Sequence, residues 1–177
     1  MSQYALPIVF ALFVWWFSTG FILFLDTLPK RTFGWSMLAA SACLVLSLRL
    51  VFLGIDDTTE HGAYVAFACG VAVWGWQEMS FLMGFITGPR RTACPEGASG
   101  LRHFWYATQA VIWHELAIAA GCAVLAWISE GGANRLALWT YCLLWGLRLS
   151  AKLNLFLGVR NLNAGLLPDH LTYLASY

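Results

Sequence analysis

An all-α polytopic membrane protein, a bundle of five transmembrane helices with a periplasmic N-terminus and a cytoplasmic C-terminus, is the architecture this 177-residue sequence predicts. Three observations predict it. Apolar residues make up 60% of the chain and charged residues only 11%, where soluble domains carry about a quarter charged. The apolar residues are gathered into five runs, each long enough to cross a hydrocarbon core of about 30 Å as helix. The Lys and Arg of the connecting loops then alternate from one side to the other. Ten Lys and Arg with nine Asp and Glu cannot coat a globule of this size, which excludes a soluble enzyme, a disordered tail and an electrostatic nucleic-acid binder.

The spans run from Tyr4 to Leu28, Phe33 to Ile55, Gly62 to Thr87, Phe104 to Ile128 and Asn134 to about Leu157. Residues 1–157 form the bundle, and 158–177 form a tail along the cytoplasmic interface, where Asn161, Asn163, Pro168, Asp169 and His170 stand among leucines and tyrosines. The first run lacks the cationic flank of a signal peptide and is too long for one, so it stays in the mature protein as a span. Pro29, Pro89, Pro95 and the Gly131-Gly132 pair mark breaks, because proline lacks the amide donor and glycine frees the backbone. Lys30, Arg31, Arg90, Arg91 and Arg102 occupy the first and third loops and Arg160 the tail, whereas the second and fourth loops offer Arg135 among acids. Short cationic loops stay in the cytoplasm, which sets the orientation.

Charged groups within an apolar span need a partner or a function. Those present are Asp26, Arg49, Glu78, His114, Glu115, Arg148 and Lys152. By helical rise, Glu78, His114 and Arg148 fall at one depth, roughly 13 to 15 Å from the cytoplasmic ends of their spans. His114 shares a face with Ala107, Ala110, Ala117 and Gly121, small residues that mark the side facing other helices. Glu115 is turned from it by about 100°. Arg148 and Lys152 share a face of the fifth span. The simplest arrangement pairs Glu78 and Glu115 with Arg148 and Lys152, with His114 as a hydrogen-bonding member.

Two readings of this layer stay open: an ion-pair network that fixes helix register, or a ligand site. In the second, His114 coordinates the magnesium of a chlorin, or the cations hold a carboxylated pigment precursor. Asp26, within a turn of Lys30, and Arg49, beside Asp56 and Asp57, are both expected to snorkel or to pair locally. No metal site is expected, since the chain has no Glu-x-x-His and no zinc-like cysteine spacing. Cys43, Cys69, Cys94, Cys122 and Cys142 read as small hydrophobes. Trp35, Trp105, Trp127 and Trp139 are interfacial anchors; Trp74, Trp76, Trp113 and Trp145 lie deeper, where packing is the favoured reading and stacking on a pigment or a partner helix the alternative. Gly84 and Gly88 form a GxxxG pattern at a helix end that permits close helix approach.

Several runs carry a family resemblance. They are Trp15-Trp16-Phe17-Ser18-Thr19-Gly20, Leu28-Pro29-Lys30-Arg31-Thr32-Phe33, Val73-Trp74-Gly75-Trp76-Gln77-Glu78 and Thr87-Gly88-Pro89-Arg90-Arg91, with the long stretch from Leu149 to Leu162 the most specific. Together they resemble the PuhE family, photosynthetic complex assembly proteins of purple and related phototrophic bacteria. The resemblance implies a multi-pass protein of the bacterial inner, intracytoplasmic photosynthetic membrane. It also implies a role in assembling the reaction centre with its light-harvesting antenna, through bacteriochlorophyll supply or subunit contact, and supplies no catalytic residue. Members of that family continue past the stretch resembling His170 to Tyr177 into further spans, so this chain is either a shortened form or one part of a longer protein.

The expected function is an integral membrane assembly factor or accessory subunit of the reaction centre and light-harvesting complex. Its partners are membrane lipid and the subunits of that complex, and it acts by helix–helix contacts, with pigment contacts through bacteriochlorophyll or a carotenoid left open as an addition, and without catalytic turnover. The alternatives are a carrier of bacteriochlorophyll or a carotenoid and a membrane enzyme of tetrapyrrole modification. A transporter ranks last for want of paired, glycine-broken helices.

Overall fold

The computed structural model describes residues 2–157, 165 and 167–177. The described residues contain helices and no strand: α1 Ser2–Asp26, α2 Phe33–Leu53, α3 Glu60–Leu82, α4 Gly100–Ile128 and α5 Leu136–Phe156, then a 3-10 helix at Asp169–Ser176. Tyr4–Asp26, Lys30–Leu53 and Gly100–Ile128 are long and apolar enough to cross a bilayer. Helices α3 and α5 are not among these; they carry Gln77 and Glu78, and Arg148, Lys152 and Asn154. Of the tail, Arg160, Asn161 and Asn163 lie outside the described residues.

Helix α3 is the centre of the fold and packs against α1, α2, α4 and α5. A helix with four neighbours needs small residues where backbones approach. Gly70 supplies one: a Cβ there would stand 2.8 Å from the Ala137 carbonyl of α5. Around it Val71, Val73, Trp74, Ile118, Leu125, Tyr141 and Leu144 form the main core, in which the Trp74 and Tyr141 rings meet edge to face at 5.4 Å. The opposite situation holds in α1, whose Phe13, Phe17 and Phe21 rings stack along an exposed face beside an exposed Trp16. Exposed aromatic surface of this extent suits lipid or another protein rather than water.

At one end of the bundle, Asn134 joins the two loops. Its amide donates to Ile55 O at 2.8 Å, its side chain donates to the carbonyls of Asp57 and Gly62, and its Oδ1 accepts from Leu136 N, which starts α5. Thr59 caps α3 by accepting from Gly62 N. Hydrogen bonds from the Thr59 hydroxyl and amide hold the Asp57 carboxyl below the ordinary carboxylate range.

The other end departs from expectation. Helix α3 stops at Leu82 rather than Thr87, because Gly84 takes φ +79 and turns the chain. Gly84 and Gly88 are therefore not a helical GxxxG face. The segment instead folds onto α4: the His114 amide donates to Thr87 O at 3.0 Å and the Arg90 amide to Gln109 O at 3.3 Å. Gly88 lies against the Gln109 and Ala110 carbonyls, in a space no Cβ could share. The 3-10 helix docks on this segment. His170 Nε2 donates to Leu82 O at 2.9 Å, Tyr177 OH to Thr92 O at 2.6 Å, the Cys94 amide to Ser176 Oγ at 2.8 Å, and Leu171 is buried. The described part of the tail is thus packed on the end of the bundle.

Gly88→Ala is expected to destabilise the chain by about 1–3 kcal/mol, since backbone carbonyls cannot move aside as side chains do. Gly20→Ala, with open space around the new methyl, should change stability by less than about 0.5 kcal/mol. Thermal denaturation of the two variants in detergent, followed by circular dichroism, measures the contrast.

Candidate functional site

Successive residues of a helix point about 100° apart, and α3 uses this to address each of its neighbours in turn. Gly75 lies against Ile22 of α1, with 3.5 Å available to a Cβ. Trp76 Nε1 donates to Ser41 Oγ of α2 at 3.0 Å. Gln77 Nε2 donates to the Ala117 carbonyl of α4 at 3.1 Å. Arg148 of α5 donates through Nη1 to both oxygens of Glu78, at 2.6 and 2.5 Å.

The Glu78 and Arg148 side chains are 19% and 17% exposed, and their surroundings are aromatic. The Arg148 guanidinium lies 5.0 Å over the Phe81 ring, whose other neighbour is the His114 ring at 4.6 Å. Lys152, a turn beyond Arg148, pairs with Glu115 of α4. All five expected residues, Glu78, His114, Glu115, Arg148 and Lys152, therefore lie in one layer across α3, α4 and α5, and the acids meet the cations as the residue types require.

His114 is the exception within it. The ring is wholly buried, but neither Nδ1 nor Nε2 has a hydrogen-bond partner among the described residues. The expected hydrogen-bonding role is corrected: the ring packs against Phe81, and the Thr87 carbonyl that reaches α4 is taken by the backbone amide of His114. Asp26 is corrected as well. Among the described residues neither of its carboxylate oxygens has a hydrogen-bond partner, and Lys30 opens a 3-10 turn beyond Pro29. Arg49 is exposed on α2, as a snorkelling side chain is. Asp57 is held by Thr59, and the Asp56 carboxylate accepts from the Ala133 amide.

Gln77 and Tyr141 are the residues that sequence reasoning missed. Tyr141 OH donates to Ile118 O at 3.0 Å, beside the Gln77 bond to Ala117 O. A Cβ at Gly121 would stand 2.6 Å from that hydroxyl and 2.9 Å from Gln77 Nε2. The missing side chain at Gly121 is what opens the α4 backbone to both donors. A glutamine next to Glu78 and a glycine on the His114 face were the signals available.

Two clefts open at the surface. One, about 210 Å³, lies between α2 and α3 near Asp57, His61 and Asn134. The other, about 100 Å³, lies between α1 and α3 and is lined by Trp15, Ser18, Thr19, Trp74 and Glu78 among others. Glu78 is the residue of the charged layer that borders a cleft; neither cleft reaches His114.

Removing one member of a partly buried ion pair strands the other, so Glu78→Ala should cost about 2–4 kcal/mol, somewhat less than for a fully buried pair. The more exposed Glu115→Ala should cost less, about 1–2 kcal/mol. The double change Glu78→Leu with Arg148→Met should recover most of the first loss, as apolar replacement removes the desolvation cost of both charges. Denaturant titration of the three variants in mixed micelles reads these differences.

Residues 1–177 match the family model DUF3623, described as a protein of unknown function. The chain is 40% identical over 173 residues to a protein of Rhodobacter capsulatus described as an uncharacterized 30.4 kDa protein in the puhA 5′ region. That alignment covers 94% of this chain and 62% of the relative, so the chain spans less than two thirds of the relative's length. No solved structure matches the chain.

Proposed function

The chain belongs to the DUF3623 family, and on that premise we propose that it is an integral membrane assembly factor or accessory subunit of the bacterial photosynthetic reaction centre and light-harvesting complex. The observation that carries this reading is the division of labour in the bundle. The polar side chains of α3, α4 and α5 are spent largely on one another, while the outer faces, above all the Phe13, Phe17 and Phe21 stack of α1, are apolar, aromatic and exposed. A rigid interior with an aromatic exterior suits a protein that works by contact with other helices in the membrane. The relative's description, which places it in the puhA 5′ region, supports the same reading.

In this proposal α3 and α5 also cross the bilayer, giving five spans in the inner membrane. Although less apolar than the other three, they place their charged groups in pairs within the bundle, which lowers the cost of burying them. The Lys30, Arg31, Arg90 and Arg91 end faces the cytoplasm and the Asp57 and Asn134 end faces the periplasm. Alkaline phosphatase fused after Asp57 should be active and fused after Glu96 inactive. The reverse pattern, or equal activity at both, overturns the orientation.

A second reading, a carrier of bacteriochlorophyll or a carotenoid, draws on the cleft between α1 and α3, which Trp15, Trp74 and Glu78 help to line. Affinity purification from phototrophically grown cells in mild detergent separates the two. Reaction-centre or antenna polypeptides with near-infrared absorbance are expected in the eluate. Pigment without those polypeptides favours the carrier, and a colourless protein eluting alone overturns both.

A further inference from the structure

We propose that Cys122 of α4 and Cys142 of α5 form an oxidisable dithiol site that converts to a disulfide joining the two helices. The Sγ atoms are 3.6 Å apart and both residues are partly exposed. A disulfide needs sulfurs at about 2.0 Å, so the two thiols, already in contact, have a short distance left to close.

The residues preceding each cysteine explain why the thiols meet. Gly121 and Tyr141 make the close approach of α4 to α5 described above, and the Tyr141 hydroxyl is anchored on the Ile118 carbonyl. The thiols are thus held opposite one another by a contact that does not depend on them. Both lie about 9 Å along their helices from the α4–α5 loop, within reach of a lipid-soluble oxidant. The other cysteines differ: Cys69 is buried, while Cys43 and Cys94 sit on α2 and in the α3–α4 segment.

In the reaction two S–H bonds break and one S–S bond forms. The two protons and two electrons pass to a lipid-soluble quinone, which leaves as the quinol. A thiol reductant such as dithiothreitol reverses the step by exchange. The closed state would tie the helix carrying Glu115 to the helix carrying Arg148 and Lys152. This inference stands on the cysteine geometry alone and does not require the assembly function.

The test uses the full chain in mild detergent with diamide as oxidant, whose N=N bond takes up the two hydrogens to become a hydrazine. After acid quench and denaturation, N-ethylmaleimide counts the free thiols. The count should fall from five to three, with a linked peptide pair containing Cys122 and Cys142, and dithiothreitol should restore it. Cys142→Ala should give the same count before and after diamide. Five labels surviving oxidation in protein of unchanged helical circular dichroism would overturn the proposal, as would linkage of Cys43, Cys69 or Cys94 in place of the pair. The wild-type measurement decides the matter alone if the variant does not fold.

Discussion

A carboxylate and a guanidinium surrounded by apolar side chains cannot be separated cheaply, and the rest of this bundle depends on that constraint between Glu78 and Arg148. In a low-dielectric interior each charge alone costs several kcal/mol, so α3 and α5 are compatible with one register, the one that brings the two together. Helical geometry does the rest. With Arg148 on Glu78, its guanidinium covers Phe81 one turn along α3, and Lys152 one turn along α5 reaches Glu115. The second ion pair draws α4 into the same register, and His114 is enclosed as a consequence.

Four consecutive residues of α3 complete this logic. Gly75, Trp76, Gln77 and Glu78 sweep through some 300° and meet α1, α2, α4 and α5 in turn. The four contacts differ in kind: an apolar contact of a glycine with an isoleucine side chain, an indole bond to a serine, an amide bond to a backbone carbonyl, and an ion pair. No two of these sites are interchangeable, so the order of helices around α3 is specified as well as their number. The arrangement also explains why α3 shows no single polar face: each face carries the group its own neighbour needs.

The charged layer was legible in the sequence because charge is rare in apolar runs, and four groups of opposite sign have few ways to pair. The inward direction of His114 was legible too, from the small residues at its three- and four-residue offsets. Its lack of a hydrogen bond was not, since that depends on Phe81 and Thr87, which reach it through the fold. The end of α3 was hidden for a local reason. Phe85 and Ile86 continue the apolar run, and Gly84, which stops the helix through its backbone angle, fits a helix-packing motif equally well. Gln77 and Tyr141 went unnoticed because their partners are backbone carbonyls, which leave no mark on composition. The docking of Asp169–Ser176 rests on contacts between segments far apart in the chain, and no local pattern encodes them.

The polar contacts do not hold all helices equally. Helix α1 meets α3 through Phe10 against Tyr64 and Phe67 and through Ile22 at Gly75, while the hydroxyls of its Ser18 and of Thr27 just beyond its end donate to α1 carbonyls. Between hydrocarbon and protein, apolar contact of this kind gains mainly through packing, because lipid tails solvate the same surface nearly as well. The cleft between α1 and α3 interrupts that packing at Trp15, Trp74 and Glu78. Displacing α1 would therefore leave the ion pairs and the Gln77 and Tyr141 bonds intact, whereas displacing α4 would break the Glu115–Lys152 pair and both of those bonds, and displacing α5 both ion pairs and the Tyr141 bond. A binding partner that exchanges one helix face for another meets least resistance here, and the charged layer remains assembled while it does so.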